Sequence, residues 1–497
     1  MSLINVSDLS FAYDGSCDSV FEQVSFQIDT DWRLGFVGRN GRGKTTFLNL
    51  LQGKYEYRGS ISASVRFDYF PFPVPDRDRG TMEVLEGLDP ALEAWRLYRE
   101  LAALGVEGEI LSRPFATLSN GEQTRVLLAA LFAREGNFLL IDEPTNHLDL
   151  EGRAAVSAYL RKKKGFILVS HDRAFLDGCV DHILSINKQN IEVQQGNFSS
   201  WWENKRRRDD WERAENEKLK REIGRLDQAA RRTADWSDKV EGTKYATRNS
   251  GLRPDRGFIG HKAAKMMKRS KAVEARRAGA VEEKRDLLKN IELAQALKLH
   301  PLVHPKARLV ECVGLAADYG AGPVCKPVSF TVERGDRVAL TGRNGAGKSS
   351  LLKLCAGAEV PHSGTVALAP GLVASVVPQD ASFLRGDLSG FAGESGVDET
   401  LFLTILRKLD FSRAQFEKDM ADYSAGQKKK VLLARSLCQS AHLYIWDEPL
   451  NYIDVFSRMQ LEELIRAHQP TLLLVEHDRD FLARVATKFV ELVRPEA

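Results

Sequence analysis

Four blocks of this 497-residue chain occur twice, in the same order. GFVGRNGRGKTTFLNLL at 35–51 returns as ALTGRNGAGKSSLLKLC at 339–355, and LSNGEQTRVLLAALFA at 118–133 returns as YSAGQKKKVLLARSLC at 423–438. FLLIDEPTNHLD at 138–149 returns as LYIWDEPLNYID at 443–454, and FILVSHDRAFLD at 166–177 as LLLVEHDRDFLA at 472–483. Lys44 and Lys348 are 304 positions apart, Ser119 and Ser424 are 305 apart, and His171 and His477 are 306 apart. Four blocks that hold register this closely mark the duplication of a whole domain.

Each copy alternates short apolar runs (LGFVG, NFLLID, GFILVS; RVALTG, LYIWD, LLLVE) with helix-forming stretches. Such runs read as buried strands of a parallel α/β sheet. The opening of each copy (INVSDLSFAY, VFEQVSFQID; RLVECVGLAADY, KPVSFTVE) reads as antiparallel. The predicted fold class is α/β: two P-loop nucleotide-binding domains in tandem, at 1–195 and 306–497. Between phosphate loop and serine-glycine motif lie 75 residues in one copy and 76 in the other, so neither is expected to carry a large insertion. With 20 residues after His477, no appended C-terminal domain is expected.

The stretch between the copies, 196–305, differs in kind. From Glu203 to Lys289 there are 26 Lys/Arg against 16 Asp/Glu, a net of +10, in a chain whose total is +3. The rest therefore sums to −7, and positive charge is concentrated where a phosphate backbone would meet it. Leu219, Ile223, Leu226 and Ala230 make a narrow apolar stripe, and Val273, Val281, Leu288 and Ile291 are spaced to answer it. An antiparallel helical hairpin is predicted, reversing near 249–257, where Asn249, Gly251, Pro254 and Gly257 cluster. Arms of about 35 residues would project on the order of 50 Å. A solvated spacer is the plainer reading of a charge run, but needs no such length.

Six scattered cysteines without a C-x-x-C pair point to free thiols in a reducing compartment. The N-terminus has no basic-then-apolar leader, and no run approaches the roughly 18 apolar residues of a membrane span. A cytoplasmic, soluble protein is expected.

GRNGRGKT (Gly38–Thr45) and GRNGAGKS (Gly342–Ser349) match G-x-x-x-x-G-K-[ST] between strand and helix. Glycines let backbone N–H groups wrap phosphates, and a helix N-terminus adds positive potential. The candidate ATP-binding residues are Gly38, Asn40, Gly41, Gly43, Lys44, Thr45 and Thr46, with Gly342, Asn344, Gly345, Gly347, Lys348, Ser349 and Ser350 in the second copy. Lys44 and Lys348 would reach the β/γ-phosphates, and Thr45 and Ser349 a Mg²⁺ ion. Asp142 and Asp447, each closing an apolar strand, suit the metal; Glu143 and Glu448, next in line, suit polarising a water. His171 and His477 follow the last such strand and suit a γ-phosphate or the water. Ser119 and Gly121, like Ser424 and Gly426, open a helix and so offer a second anion site per copy. The natural occupant is the γ-phosphate bound by the other copy, which would sandwich two ATPs between head-to-tail domains.

With those motifs the chain resembles the ABC ATPases over both domains, the serine-glycine signature separating that family from other P-loop enzymes. Two cassettes, a basic helical linker and no membrane domain resemble its ABC-F subfamily. The resemblance implies that one site pairs Gly38–Thr45, Asp142, Glu143 and His171 with Ser424 and Gly426. The other pairs Gly342–Ser349, Gln379, Asp447, Glu448 and His477 with Ser119 and Gly121. It also implies adenine stacking on Tyr13 and Tyr319, and a metal role for Gln379. GFIGHKAAKMMKRSK and IWDEPLNYIDVFSR are similar to the Lsa/Vga antibiotic-resistance branch. That branch implies binding to the 70S ribosome at the E site, with contacts to 23S rRNA and P-site tRNA. Its linker displaces lincosamide, pleuromutilin and streptogramin A drugs. Arg206, Arg207, Lys262, Lys265, Lys268 and Arg269 would then meet phosphates, and Tyr245, Leu252, Arg253 and Phe258 would stack or wedge near bases.

The pattern has three departures. The first copy reads RFDYFPFPVPD where the second has VVPQD, so it lacks the glutamine. The second reads LNYID for TNHLD, and the first signature is SNG followed by Glu122. Two unequal sites are expected. Cassettes would pair within a monomer, without membrane or DNA partners. Rival readings are a housekeeping or stress ABC-F translation factor, a transporter's ATPase subunit, and a DNA-associated ABC ATPase.

Overall fold

The computed structural model describes residues 2–495 other than 14–18, 90–91, 135, 147, 187–190, 243–260, 262–263, 266, 269–270, 274, 277, 280, 282–296 and 321. The chain divides into two compact units, Met1–Ser199 with Ala294–Ala497, and Ser200–Leu293. Both cassettes lie in the first unit.

In the first cassette β1 (Leu3–Ala12) pairs antiparallel with β2 (Ser19–Asp29) and with β4 (Arg58–Ser62). A second sheet joins β3 (Arg33–Val37), β5 (Arg66–Phe70), β6 (Asn137–Asp142), β7 (Phe166–Val169), β8 (His182–Ile186) and β9 (Ile191–Gln195). Its order is β5-β6-β7-β3-β8-β9, parallel except for β9 against β8. All of β7 is buried, as a strand covered on both faces must be, which is why it reads FILV without alternation. The phosphate-loop helix Lys44–Leu51 drives Phe47 and Leu48 into a core with Phe36, Leu140 and Val169.

The second cassette repeats this plan. β10 (Arg308–Ala317) pairs with β11 (Val328–Glu333) and β13 (His362–Leu368). β12 (Arg337–Thr341), β14 (Ala374–Val377), β15 (Leu443–Asp447), β16 (Leu472–Val475) and β17 (Lys488–Glu491) form a parallel sheet in the order β14-β15-β16-β12-β17. That is the order of the first cassette less its β9, so the duplication seen in motifs extends to topology. In each sheet the phosphate loop leaves β3 or β12, and the Asp-Glu pair closes β6 or β15 at the same edge. The strand between them ends beside the histidine. Three motifs distant in sequence thus meet at the carboxyl edge of one sheet.

Five described cysteines are free, four of them buried. Among the described residues no helix is long and apolar enough to cross a membrane.

The helix Phe198–Gly242, all but its first two residues in the second unit, runs 45 residues, longer than the arm expected from sequence, since Phe198 begins it ahead of the charged run. Arg206 and Arg207 are exposed, Leu219 is buried and Ile223 is half-buried. Lys205, unlike Arg206 and Arg207, is buried, with its ammonium 5.9 Å over the Trp201 ring. The described residues between 261 and 281 are helical, Lys265 and Lys268 among them and exposed. The expected reversal at 249–257 lies outside the described residues, as do Tyr245, Leu252, Arg253, Phe258, Lys262 and Arg269.

Candidate active sites at the cassette boundary

Two clefts lie between the cassettes, and each takes residues from both. The smaller, about 540 Å³, is lined by Tyr13, Asn40, Gly41, Gly43, Lys44, Thr45, Thr46, Asp142, Glu143 and His171, and across from them by Ser424 and Gly426. The larger, about 1340 Å³, is lined by Tyr319, Asn344, Gly345, Gly347, Lys348, Ser349, Ser350, Gln379, Glu448 and His477, and across from them by Ser119 and Gly121. Every one of these is a residue read from sequence, and the pairing is the crossed one. Gly38 and Gly342 accept at their carbonyls from the loop lysines, and Asp447 ends β15 at the larger cleft.

The phosphate loops are alike. Gly43 and Gly347 cap their helices in the left-handed region, at φ 91° and 79°, and a side chain on Gly43 would come 2.5 Å from Val20. Lys44 Nζ donates to Gly38 O at 2.7 Å and Arg39 O at 3.1 Å. Lys348 Nζ repeats this on Gly342 O at 2.8 Å and Arg343 O at 3.1 Å. Tyr13 and Tyr319 share hydrogen bonds with the hydroxyls of Thr46, at 2.6 Å, and Ser350, at 2.8 Å, while their rings stay exposed beside the loops.

Glu143 and Glu448 both hold left-handed backbones, at φ 50° and 46°, a conformation that non-glycine residues adopt at a cost of roughly 1–3 kcal/mol. Matched bonds, Glu143 N to Val169 O at 2.9 Å and Glu448 N to Val475 O at 3.0 Å, keep them there. Glu143 Oε1 is 3.3 Å from His171 Nε2, and Glu448 Oε1 is 3.6 Å from His477 Nε2.

Electrostatically the two differ. Burial, and then the Asp142 charge, raise the Glu143 pKa to about 8. Burial also raises that of Glu448, but the His477 and Gln379 contacts outweigh it and hold the group at about 2. Gln379 Nε2 donates to Glu448 Oε2 at 2.9 Å, and the first cassette has no glutamine to do so. Burial, with the Lys44 and Arg458 charges adding to it, keeps His171 neutral.

The structure also shows residues that motif reading missed. The Tyr69 hydroxyl, from β5, donates to Asp142 Oδ2 at 2.8 Å, beside Thr45 Oγ1 at 3.1 Å on the same oxygen. Arg494 donates to Asn344 O in the second phosphate loop. Lys429, on the second signature helix (Ala425–Cys438), is buried under the larger cleft. Ser119 Oγ donates to Glu122 Oε2 at 2.7 Å, whereas Ser424 is capped by the neutral Gln427. Glutamate three residues after an N-cap serine signals a capping box, so the Glu122 contact was readable.

Contacts across the boundary are also unequal. Beside the smaller cleft Asn40 Nδ2 donates to Tyr452 O at 2.9 Å, and Arg39 lies 3.8 Å from Asp410. Arg173 meets Glu462 at 2.8 Å with both buried, and Arg484 holds the other oxygen at 3.1 Å. The repeat counterparts of Arg173 and Glu462 are Arg479 and Ser157, and these line a cavity of about 290 Å³. Beside the larger cleft Arg343 meets Glu151 at 2.9 Å, with both exposed.

The donors suit Mg²⁺ and a phosphate-bound water. Both Glu143 carboxylate oxygens and Asp447 Oδ1 are buried without a hydrogen-bond partner. The set around them is hard oxygen. Among the described residues no cluster of three or more His, Cys, Asp or Glu stands ready to cage a metal.

Comparison with known proteins identifies the family. The ABC transporter family model matches residues 21–146 and 325–451. The chain is 30% identical over 485 residues to the ATP-binding protein Uup of Caulobacter vibrioides, covering 95% of this chain and 74% of that one. It is 27% identical to the ribosome protection protein VmlR of Bacillus subtilis, covering 97% and 85%. In fold it is similar to the archaeal ribosome recycling factor aABCE1 in complex with the stalk protein aP1. There the TM-score is 0.63 at 21% identity, over 97% of this chain and 87% of that one. The chain belongs to the ABC family, as a tandem ATPase of the ABC-F type whose two ABC domains bind and hydrolyse ATP.

Proposed function

We propose that this protein is an ATP-dependent ribosome-binding factor that protects the ribosome from antibiotics of the peptidyl-transferase centre. The observation that carries the reading is the 27% identity to a ribosome protection protein over 97% of this chain. The match spans the basic linker as well as the cassettes. Residues 1–195 and 306–497 act as the two ATPase domains and 196–305 as the linker that acts at the ribosome. Lys44 and Lys348 hold the β/γ-phosphates, with Asn40, Asn344 and the loop glycines around them, and Tyr13 and Tyr319 stack on adenine. Ser119, Gly121, Ser424 and Gly426 receive the γ-phosphate across the boundary. Glu143 and Glu448 take the proton of the attacking water, which His171 and His477 position. Thr45 and Asp142, and Ser349, Asp447 and Gln379, would hold Mg²⁺, which supplies charge neutralisation at the phosphates.

ATP in both clefts closes the cassettes and hydrolysis releases them. The closed form binds the E site, and Arg206, Arg207, Lys262, Lys265, Lys268 and Arg269 anchor the linker on rRNA phosphates. Tyr245, Leu252, Arg253 and Phe258 act nearest the drug site and the P-site tRNA. The Glu143→Gln/Glu448→Gln variant tests this with ATP: it is expected to co-sediment with 70S ribosomes, less so at high salt. Expression of the wild type is expected to raise resistance to lincosamides, pleuromutilins and streptogramin A. Binding to ribosomes without added resistance would instead support a general translation factor. Preference for DNA would sink both.

A further inference from the structure

One of the buried positions at which the two signature helices differ lies in their first turns. In the first cassette, on the helix Asn120–Ala133, Thr124 donates to its own helix at Asn120 O, 2.9 Å away. At the matching position of the second stands Lys429, 3% exposed, and its ammonium leaves the helix altogether. Nζ donates to Pro378 O at 2.8 Å, Gln379 O at 3.3 Å and Asp447 O at 2.9 Å. All three of its protons are thus placed on two backbone segments, the glutamine loop and the end of β15.

Those segments carry the two side chains that meet in the larger cleft, Gln379 Nε2 on Glu448 Oε2 at 2.9 Å. Asn451 Nδ2 also donates to Glu448 Oε2, at 2.5 Å. The Gln379 loop lies beyond the last residue of β14, where ladder hydrogen bonds no longer fix its distance from β15. A buried ammonium that bridges carbonyls on both sides supplies that constraint. Charge-assisted bonds are the stronger kind, and a buried cation does not exchange them for water. The first cassette has neither the glutamine nor the lysine; Phe72 follows its cis Phe70-Pro71 pair at the matching place, and Tyr69 reaches Asp142 instead. Lysine and glutamine therefore occur together, in the one cassette whose glutamate is held by a glutamine.

We infer that Lys429 is a positioning residue for hydrolysis in the larger cleft, clamping the Gln379 loop to β15 so that Gln379 holds Glu448 in place. The same helix begins at Ser424, in the smaller cleft, so closure there bears on the geometry of the glutamate in the other. The inference rests on the reading of Glu448 as the base of that cleft.

The test uses the full chain with Glu143→Gln, so that the larger cleft alone turns over. Lys429→Met, similar in length but without donors, is expected to lower kcat about tenfold while the KM for ATP moves less than about threefold. In a Gln379→Ala background the same substitution is expected to cost less than about twofold more, because the lysine acts through the glutamine. Should the methionine variant fail to fold, Lys429→Gln, shorter and still a donor, takes its place in the same cycle. A kcat within about twofold of the parent, or a loss of equal size with and without Gln379, would overturn the inference. Undiminished turnover in the Glu143→Gln/Glu448→Gln variant would remove its premise, the role of Glu448, and is told apart from failure of the lysine by that variant alone.

Discussion

The Tyr69 hydroxyl donates to Asp142 Oδ2 at 2.8 Å, at the edge of the cassette that lacks the loop glutamine. Burial and the Asp142 charge raise the Tyr69 pKa, so the phenol keeps its proton and stays a donor. Tyr69→Phe removes one hydrogen bond to a half-buried acid, worth about 1.5–3 kcal/mol. Urea unfolding is expected to show that loss, and turnover with Glu448→Gln in the background should fall several-fold. Unchanged values on both counts would show that Thr45 alone positions the carboxylate.

Glu143 with a pKa of about 8 and Glu448 at about 2 must lose a proton before either can act as base. At neutral pH Glu448 is already ionised and Glu143 is mostly not. With Glu448→Gln silencing the larger cleft, hydrolysis is expected to rise about tenfold from roughly pH 7 to pH 9. With Glu143→Gln silencing the smaller one, no such rise is expected; the rate should fall toward pH 9 as Lys429, whose pKa burial lowers to about 8, loses its proton. Phosphate release measured across pH on the two variants decides it, and identical profiles would refute the difference.

Glu122 places a carboxylate against Ser119, on the wall facing the second phosphate loop. Burial raises its pKa, but the Ser119 bonds and the Arg113 charge outweigh this, so it is ionised where a γ-phosphate would approach. Glu122→Gln keeps the capping box and removes the charge. ATP affinity in the Glu143→Gln background is expected to rise about three- to tenfold, more so at low ionic strength. Fluorescent-nucleotide titration reads this directly, and a weaker affinity would argue that Glu122 serves the cap alone.

Breaking the Arg173–Glu462 pair leaves buried charge uncompensated. Glu462→Ala is expected to cost about 3–5 kcal/mol, against little for Arg343→Ala on the exposed pair at the other cleft. Chemical denaturation of the two variants side by side checks the ranking.

Much of the site was legible because its chemistry is written in adjacent residues. Lys44 and Thr45 stand in one loop, and Glu143 follows the strand that ends in Asp142, so spacing alone places them. Repetition then identified the partner residues across the boundary, Ser119 and Ser424 among them. What stayed hidden acts through contacts between distant segments. Tyr69 is 73 positions from Asp142, and Lys429 is 50 from Gln379. No local pattern sets such distances; the strand order does. The left-handed backbones of Glu143 and Glu448 were hidden too, since nothing in the composition of an Asp-Glu pair requires them.

The Arg173–Glu462 bridge also says what a single chain can do that two identical subunits cannot. In a homodimer with a two-fold axis, any residue pair on one side of the axis recurs on the other. Here Ser157 and Arg479 stand at the mirrored place and line a pocket open to solvent. Fusing the copies released each half from the obligation to suit both positions. The equivalent places in the two copies are now different parts, a fastening at one edge and an open pocket at its counterpart.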